Sequence, residues 1–139
     1  MRNLDDPGAP KYRYPLGVST SKLLFGYEML YPGEPLVLCE GATDVMAAYE
    51  AGFWGVGSYG ARLYPEQVKL ILAAKPSIVI IAYDQDKAGD AGFMLADALL
   101  SVEGIITVRP FWEGYKDLGE MPTATRRKIL TEALAISST

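Results

Sequence analysis

The sequence predicts an α/β domain in which a four-stranded parallel sheet is flanked by helices on both faces. From Leu36 onward, short apolar runs alternate with stretches whose apolar residues recur at helical spacing. Such alternation is typical of a parallel sheet covered by helices. The run SIVIIAY, residues 77–83, is continuously apolar after its first serine, as expected for a strand buried on both faces. We assign residues 35–139 to this domain and residues 1–34 to an irregular N-terminal extension.

Turn and cap residues place the predicted elements along the chain. Gly52 ends the first helix, because glycine is a common stop just past a helix C-terminus. Pro65 opens the second helix, which ends before Pro76. Arg126 and Arg127 begin the last helix, and we expect both on the surface. The predicted order is strand 35–39, helix 43–52, strand 53–60, helix 65–75, strand 77–84, helix 87–104, strand 105–111 and helix 123–135.

The composition restricts the chemistry that the chain can perform. It has 139 residues, half of them hydrophobic, which suits one domain with a full core. The sequence contains no histidine, so neither a zinc site of Cys/His type nor a histidine general base can form. Any metal must be a hard cation bound by oxygen ligands. The net charge of −4 argues against binding nucleic acid by overall charge alone, and it leaves room for local basic groups.

Cysteine usage and hydropathy predict a cytoplasmic protein without a membrane partner. Cys39 is the single cysteine, which excludes an internal disulfide and fits a reducing compartment. We expect it to be a small, buried apolar residue. The longest apolar run is too short to span a bilayer, and no charged-then-apolar leader opens the chain.

Acidic residues follow two of the predicted strands where each strand ends. Glu40 follows the first strand, Asp44 comes four residues later, and Asp84 and Asp86 lie at the end of the third strand. Sites in open α/β sheets form at the carboxyl ends of strands, where the strand order reverses. If the first and third strands are neighbours, Glu40, Asp84 and Asp86 meet in one crevice. Asp84 and Asp86 can then face one ion, because residues two apart in extended chain point the same way.

Carboxylates brought together in this way repel one another and need a compensating charge. A divalent cation is the natural partner where histidine is absent, and Mg²⁺ prefers carboxylates, waters and phosphates as ligands. This arrangement suits phosphoryl or nucleotidyl transfer. Structural alternatives remain for single acids. Glu40 could be an acid at a helix N-terminus that the helix dipole favours, Asp44 could be a solvated helix residue, and Asp117, in the loop after the fourth predicted strand, could form a turn.

Three motifs together resemble the TOPRIM domain: EGATDV after the first strand, GSYGA after the second, and YDQDKAGDAG after the third. The resemblance covers Pro35 to Leu118. This family includes bacterial primases, type IA and type II topoisomerases, OLD-family nucleases and small RNA-maturation nucleases. Two further stretches resemble the DnaG-type primases of bacteria and phages. They are PKYRYPLGVSTSKLLFGYE upstream of the domain and GYKDLGEM after the fourth strand.

The resemblance to primases implies metal-dependent nucleotidyl transfer that makes RNA primers on a single-stranded DNA template. Catalysis would fall to Glu40, Asp84 and Asp86, and the same three acids with Asp117 would bind Mg²⁺, or Mn²⁺ in its place. Asp44 would support them. The partners would be single-stranded DNA and ribonucleoside triphosphates, and a replicative helicase is a further candidate partner. Residues 1–34 would border the active-site groove.

Basic residues near this crevice form a predicted surface for nucleic acid and nucleotides. Lys11, Arg13 and Lys22 alternate with tyrosines, a combination that can contact a phosphate backbone while the rings stack. Arg62 follows the second strand, and Lys87 follows Asp86. The alternative for the first three is a solvated extension, and the alternative for Lys87 is charge balance.

The sequence also departs from the primase pattern. Ala61 replaces the usual threonine after the second strand, and Gly119 stands where a second acid is expected, with Glu120 beside it. A zinc-binding module and the amino-terminal half of a polymerase core are also missing, so we expect the isolated chain to be inactive as a primase. Two alternatives stay open: a metal-dependent nuclease on the same fold, and a non-catalytic module that binds nucleic acid or a replication partner.

Overall fold

The structure is a computed structural model that describes residues 22–137; Lys11 and Arg13 lie outside this range. The strands are β1 Leu36–Cys39, β2 Trp54–Gly57, β3 Val79–Ile81 and β4 Thr107–Val108. The α-helices are α1 Ala42–Glu50, α2 Pro65–Ala74, α3 Lys87–Ser101 and α4 Thr123–Ser137. Two short 3-10 helices span Tyr27–Met29 and Leu118–Glu120. Across the described range, none of the helices combines the length and apolar character that a membrane span requires.

The four strands form one parallel sheet in the order β2-β1-β3-β4. From β1 the chain steps to β2 at one edge of the sheet. From β2 it crosses over β1 to β3 and continues in the same direction to β4 at the other edge. Right-handed connections then require α1 on one face of the sheet and α2 and α3 on the other. The strand order reverses between β1 and β3, so the predicted switch point is confirmed, and the carboxyl ends of these two strands are neighbours.

Side chains of β1 alternate between the two faces, as the period of a strand requires. Val37 and Cys39 pack with residues of α1 and α4, whereas Leu36 and Leu38 pack with residues of α2 and α3. All four are buried. The core therefore lies in two layers on either side of the sheet, and Cys39 is a buried apolar residue as predicted.

Residues 22–34 pack against the edge of the sheet at β2. Phe25 and Gly57 exchange both backbone hydrogen bonds as an antiparallel bridge, with N–O distances of 2.8 and 3.0 Å. Leu24 is buried in the layer that contains α2 and α3. This short pairing covers part of an edge strand, whose unpaired backbone groups otherwise invite association with other chains. The division of the chain at residue 35 stays a prediction.

Arg126 corrects the expectation that the first turn of the last helix is on the surface. Arg126 is 6% exposed, and its guanidinium donates to the carbonyls of Ala47 and Met121 at 3.0 and 2.7 Å. It also forms an ion pair with Glu50 at 3.0 Å. The expectation was wrong because α4 packs against α1, and the Arg126 guanidinium joins a carbonyl of α1 to one just before α4. Arg127 is exposed, as expected.

Two glycines of YDQDKAGDAG allow α3 to begin in close contact with neighbouring backbone. A Cβ atom on Gly89 would lie 1.7 Å from the carbonyl oxygen of Asp84, and one on Gly92 would lie 2.3 Å from that of Ala61. Neither distance is sterically possible without movement of the main chain. The motif therefore needs glycine at these positions so that α3 can lie against two loops, the one that carries Asp84 and the one after β2 that carries Ala61.

We predict that Gly89→Ala lowers the free energy of unfolding by about 1–3 kcal/mol, the usual cost of overpacking. Alanine favours a helix over glycine by roughly 0.5–1 kcal/mol, so helix propensity alone predicts the opposite sign. Urea denaturation measures the difference. The control is Ala91→Gly at an exposed position of α3. It should lower the free energy of unfolding only by the difference in helix propensity between alanine and glycine. A more stable Gly89→Ala variant would contradict the close contact with Asp84.

Candidate metal centre

Three carboxylates from different parts of the chain meet at the switch point. Asp44 lies in the first turn of α1, Asp84 follows β3, and Asp117 precedes the 3-10 helix Leu118–Glu120. One oxygen of each lies within 4.8 Å of the others. Asp44 is 7% exposed, and the other two are half-buried. Among residues 22–137, this is the only group of three such ligands.

Backbone N–H groups hold two of these carboxylates in place. Asp44 Oδ1 accepts a hydrogen bond from Gly119 N at 3.1 Å, which joins α1 to the loop after β4. Asp117 Oδ1 accepts from Glu120 N at 3.1 Å and so caps the 3-10 helix. The buried side chain of Leu118 packs in the layer that contains α1 and α4. Core packing therefore brings Asp117 next to acids that are far from it in sequence.

Glu40 and Asp86, the other predicted acids, have different positions. Glu40 is half-buried, and its Oε2 accepts a hydrogen bond from the backbone N–H of Asp84 at 2.9 Å. It therefore links the ends of β1 and β3 beside the three carboxylates. Asp86 is exposed, and its Oδ1 accepts from Gly89 N at 2.7 Å, which caps α3. Neither residue belongs to the group of three.

The electrostatics of the site raise the pKa of two of its acids. Burial, then the charge of Glu40 and a hydrogen bond with it, raise the pKa of Asp84 to about 7. Burial, then the charge of Asp117, raise the pKa of Asp44 to about 6, although the Gly119 N–H and the charge of Lys116 act in the opposite direction.

The three carboxylates fit a hard divalent cation. Within residues 22–137, no lysine or arginine forms an ion pair with any of them. Close like charges without a counter-charge are unstable when ionised. Carboxylate oxygens are also the ligands that Mg²⁺ prefers. Asp44, Asp84 and Asp117 are therefore the residues that could hold such a cation. This set shares Asp84 and Asp117 with the predicted one, adds Asp44 and leaves out Glu40 and Asp86.

The glycine at position 119, where the primase pattern has an acid, has a physical reason. A Cβ atom there would lie 3.2 Å from Thr43 Cγ2 and 3.3 Å from Asp117 Oδ1. Glu120 does not join the three acids; its Oε1 accepts from the backbone N–H of Lys116 at 2.8 Å. The position therefore serves through its backbone N–H, which binds Asp44.

The described basic residues of the predicted nucleic-acid surface are exposed. They are Lys22, Arg62 and Lys87. The guanidinium of Arg62 lies over the ring of Tyr64, 5.1 Å from its centroid, and Lys87 is the first residue of α3. All three are thus accessible to a ligand.

Arg109, just after β4, was missed by the sequence reasoning. It donates to the backbone carbonyls of Asp84 and Gly89 at 3.1 and 3.2 Å and forms an ion pair with Asp90 at 2.7 Å. Its position at the carboxyl end of a strand beside β3 is a signal that could have identified it.

We predict that the metal-free protein loses stability as the pH rises from about 4 to about 7 because of these acids. The folded-state pKa values of Asp44 and Asp84 lie above the ordinary value of 3.8. The folded state therefore binds more protons than the unfolded state over this range, and stability falls with increasing pH. Melting temperatures measured in EDTA should fall more steeply for the wild type than for the double variant Asp44→Asn, Asp84→Asn.

Glu103→Gln is the control for this experiment, because Glu103 is an exposed acid just past the opposite end of α3. Its pH profile should run parallel to that of the wild type. If melting temperature depended on pH identically in the wild type and the double variant, the result would contradict the proposed loss of stability from placing these acids together.

Comparisons with known proteins agree with this fold. Residues 37–121 match the protein family described as Toprim-like. The DNA primase of Halalkalibacterium halodurans is 37% identical over 107 residues, which cover 73% of this chain and 16% of that protein. The chain therefore spans only a small part of this relative.

Solved structures show the same fold. The Aquifex aeolicus primase (zinc binding and RNA polymerase domains) has a TM-score of 0.73 at 22% identity, covering 97% of this chain and 35% of that one. The DnaG primase catalytic domain bound to ssDNA has a TM-score of 0.64 at 25% identity, covering 99% of this chain and 45% of that one.

Proposed function

Because this chain belongs to the Toprim-like family and is a TOPRIM domain of the DnaG primase type, we propose that it is the metal-binding catalytic portion of a DNA primase. The reaction is nucleotidyl transfer that joins ribonucleotides on a single-stranded DNA template. The observation that carries the proposal is the group of three carboxylates at the switch point, with oxygens within 4.8 Å of one another.

Asp44, Asp84 and Asp117 hold Mg²⁺, or Mn²⁺ in its place, in this proposal. When bound, the cation neutralises the carboxylates and the phosphates of the nucleotide and favours displacement at phosphorus. Asp86 remains a candidate ligand through the oxygen that its helix cap does not use. Its exposed position at the start of α3 also places its charge beside the site.

Glu40 is the candidate acid/base residue. Its Oε2 is fixed by the N–H of Asp84, and its side chain also interacts with the Asp84 carboxyl group. In this proposal the Glu40 carboxylate accepts the proton of an attacking 3′-hydroxyl group. The hydrogen bond from the Asp84 N–H also fixes the orientation of the Glu40 carboxylate. A fixed orientation supports the role of a general base, which must lie within hydrogen-bond reach of the proton that it accepts.

Single-stranded DNA and ribonucleoside triphosphates are the proposed substrates. The structure of the DnaG primase catalytic domain bound to ssDNA supports single-stranded DNA as a substrate. Exposed Lys22, Arg62 and Lys87 offer charges for phosphates, and we assign Lys11 and Arg13 the same role. Since the net charge of the chain is −4, binding of DNA should depend on these local charges and should weaken strongly with salt.

The test of this function is a chimera in which the chain replaces the matching segment of the Halalkalibacterium halodurans primase. We predict primer synthesis on single-stranded DNA with Mg²⁺ and ribonucleoside triphosphates. Asp84→Asn in the chimera should reduce the rate by at least about 100-fold, the usual cost of removing a group that stabilises charge in the transition state. Glu103→Gln, an acid outside the site, should leave the rate unchanged.

Two results would contradict the primase assignment. One is a folded chimera that makes no primers. The other is metal-dependent cleavage of DNA or RNA by the isolated chain that is lost in Glu40→Gln, since this would identify a nuclease that uses the same acids.

A further inference from the structure

Gln85, the residue between Asp84 and Asp86, joins two loops of the site. Its side chain is half-buried. The Nε2 group donates to the carbonyl oxygen of Pro110 at 3.2 Å, and Oε1 accepts from the backbone N–H of Trp112 at 3.5 Å, the outer limit of a hydrogen bond. The amide therefore bridges the loop after β3 to the segment after β4.

The bridged segment leads directly to Asp117. Trp112 is 4% exposed, and its indole N–H donates to the carbonyl oxygen of Tyr115 at 3.0 Å. Farther along, Gly119 N donates to Asp44 at 3.1 Å. The segment that carries Asp117 is thus tied to the site at two points, by Gln85 near its start and by Asp44 near its end.

Asp84 is fixed on the other side of the same bridge. Its N–H binds Glu40, and its carbonyl oxygen accepts from Arg109 at 3.1 Å. Because Gln85 is the next residue in the chain, the position of its amide is coupled to the main chain of Asp84. Gln85 therefore connects two carboxylates that come from loops after different strands.

We propose that Gln85 is a positioning residue that sets the separation of Asp84 and Asp117, an inference that rests on the proposed metal site. Gln85 itself does not bind the cation. It acts through Asp117, because its two hydrogen bonds hold the start of the segment on which Asp117 lies. Loss of a residue that orients metal ligands typically reduces metal affinity by about 10–100-fold.

The test uses Gln85→Met, which keeps the length of the side chain and removes both hydrogen bonds. The probe is Tb³⁺, a hard cation that binds carboxylate oxygens, titrated into the full 139-residue chain and followed by luminescence. We predict an affinity reduced about 10-fold relative to the wild type. In an Asp117→Asn background, the same substitution should change the affinity by less than about twofold, since coupled residues are not additive.

Gln67→Met is the matched control. Gln67 is the more buried of the two glutamines, and its amide donates to the carbonyls of Leu23 and Ser58 at 2.9 and 3.0 Å. Its loss should lower the melting temperature. It should leave Tb³⁺ affinity unchanged at a temperature where all variants are folded, so it separates a general loss of stability from misplacement of a ligand.

A metal-free measurement distinguishes this inference from the metal proposal. In ¹H–¹⁵N spectra, Gln85→Met should shift the amide signals of Gly119 and Glu120, whereas Gln67→Met should not. A wild-type chain that fails to bind Tb³⁺ would overturn the metal site, and the amide shifts would still decide whether Gln85 positions the segment. Unmoved amides, unchanged affinity, or an equal loss of affinity in the Asp117→Asn background would overturn the role of Gln85.

Discussion

Mutual repulsion of carboxylates is the constraint on which this site depends. Asp44, Asp84 and Asp117 have oxygens within 4.8 Å of one another and no ion-paired lysine or arginine in the described part of the chain. The fold keeps them together through the adjacency of β1 and β3, through buried Leu118, and through backbone donors. Stability without metal is thereby reduced, and the same arrangement favours binding of a divalent cation.

The backbone contacts around Asp84 explain why its loop has little freedom. Glu40 binds its N–H, Arg109 binds its carbonyl oxygen, and Gly89 allows α3 to approach it closely. Ligands for a small cation must be held within a fraction of an ångström of their working positions. The tight packing of this loop therefore supports the role of Asp84 as a metal ligand that we propose.

Sequence reasoning predicted the parallel sheet, because strand ends and apolar periodicity are local signals. It predicted acids at a switch point only on the condition that the first and third strands are neighbours, which the structure fulfils. Only the resemblance to primases placed Asp117 among the ligands, since local signals do not show how the loop after β4 packs into the core. It also gave Asp44 a supporting role, because burial of a residue in the first turn of a helix is a tertiary property. Gln85 and Arg109 gave no signal of their partners, which, apart from the Asp90 side chain, are backbone carbonyl and N–H groups.

The position of a bound Mn²⁺ ion tests the central claim most directly. Crystals of the chain grown with Mn²⁺ and measured at a wavelength where manganese scatters anomalously would show that position without any assumption about activity. The account predicts a peak in contact with the carboxylates of Asp44, Asp84 and Asp117. A peak bound to Asp86 without these residues, or no peak at a Mn²⁺ concentration that stabilises the protein in solution, would contradict it.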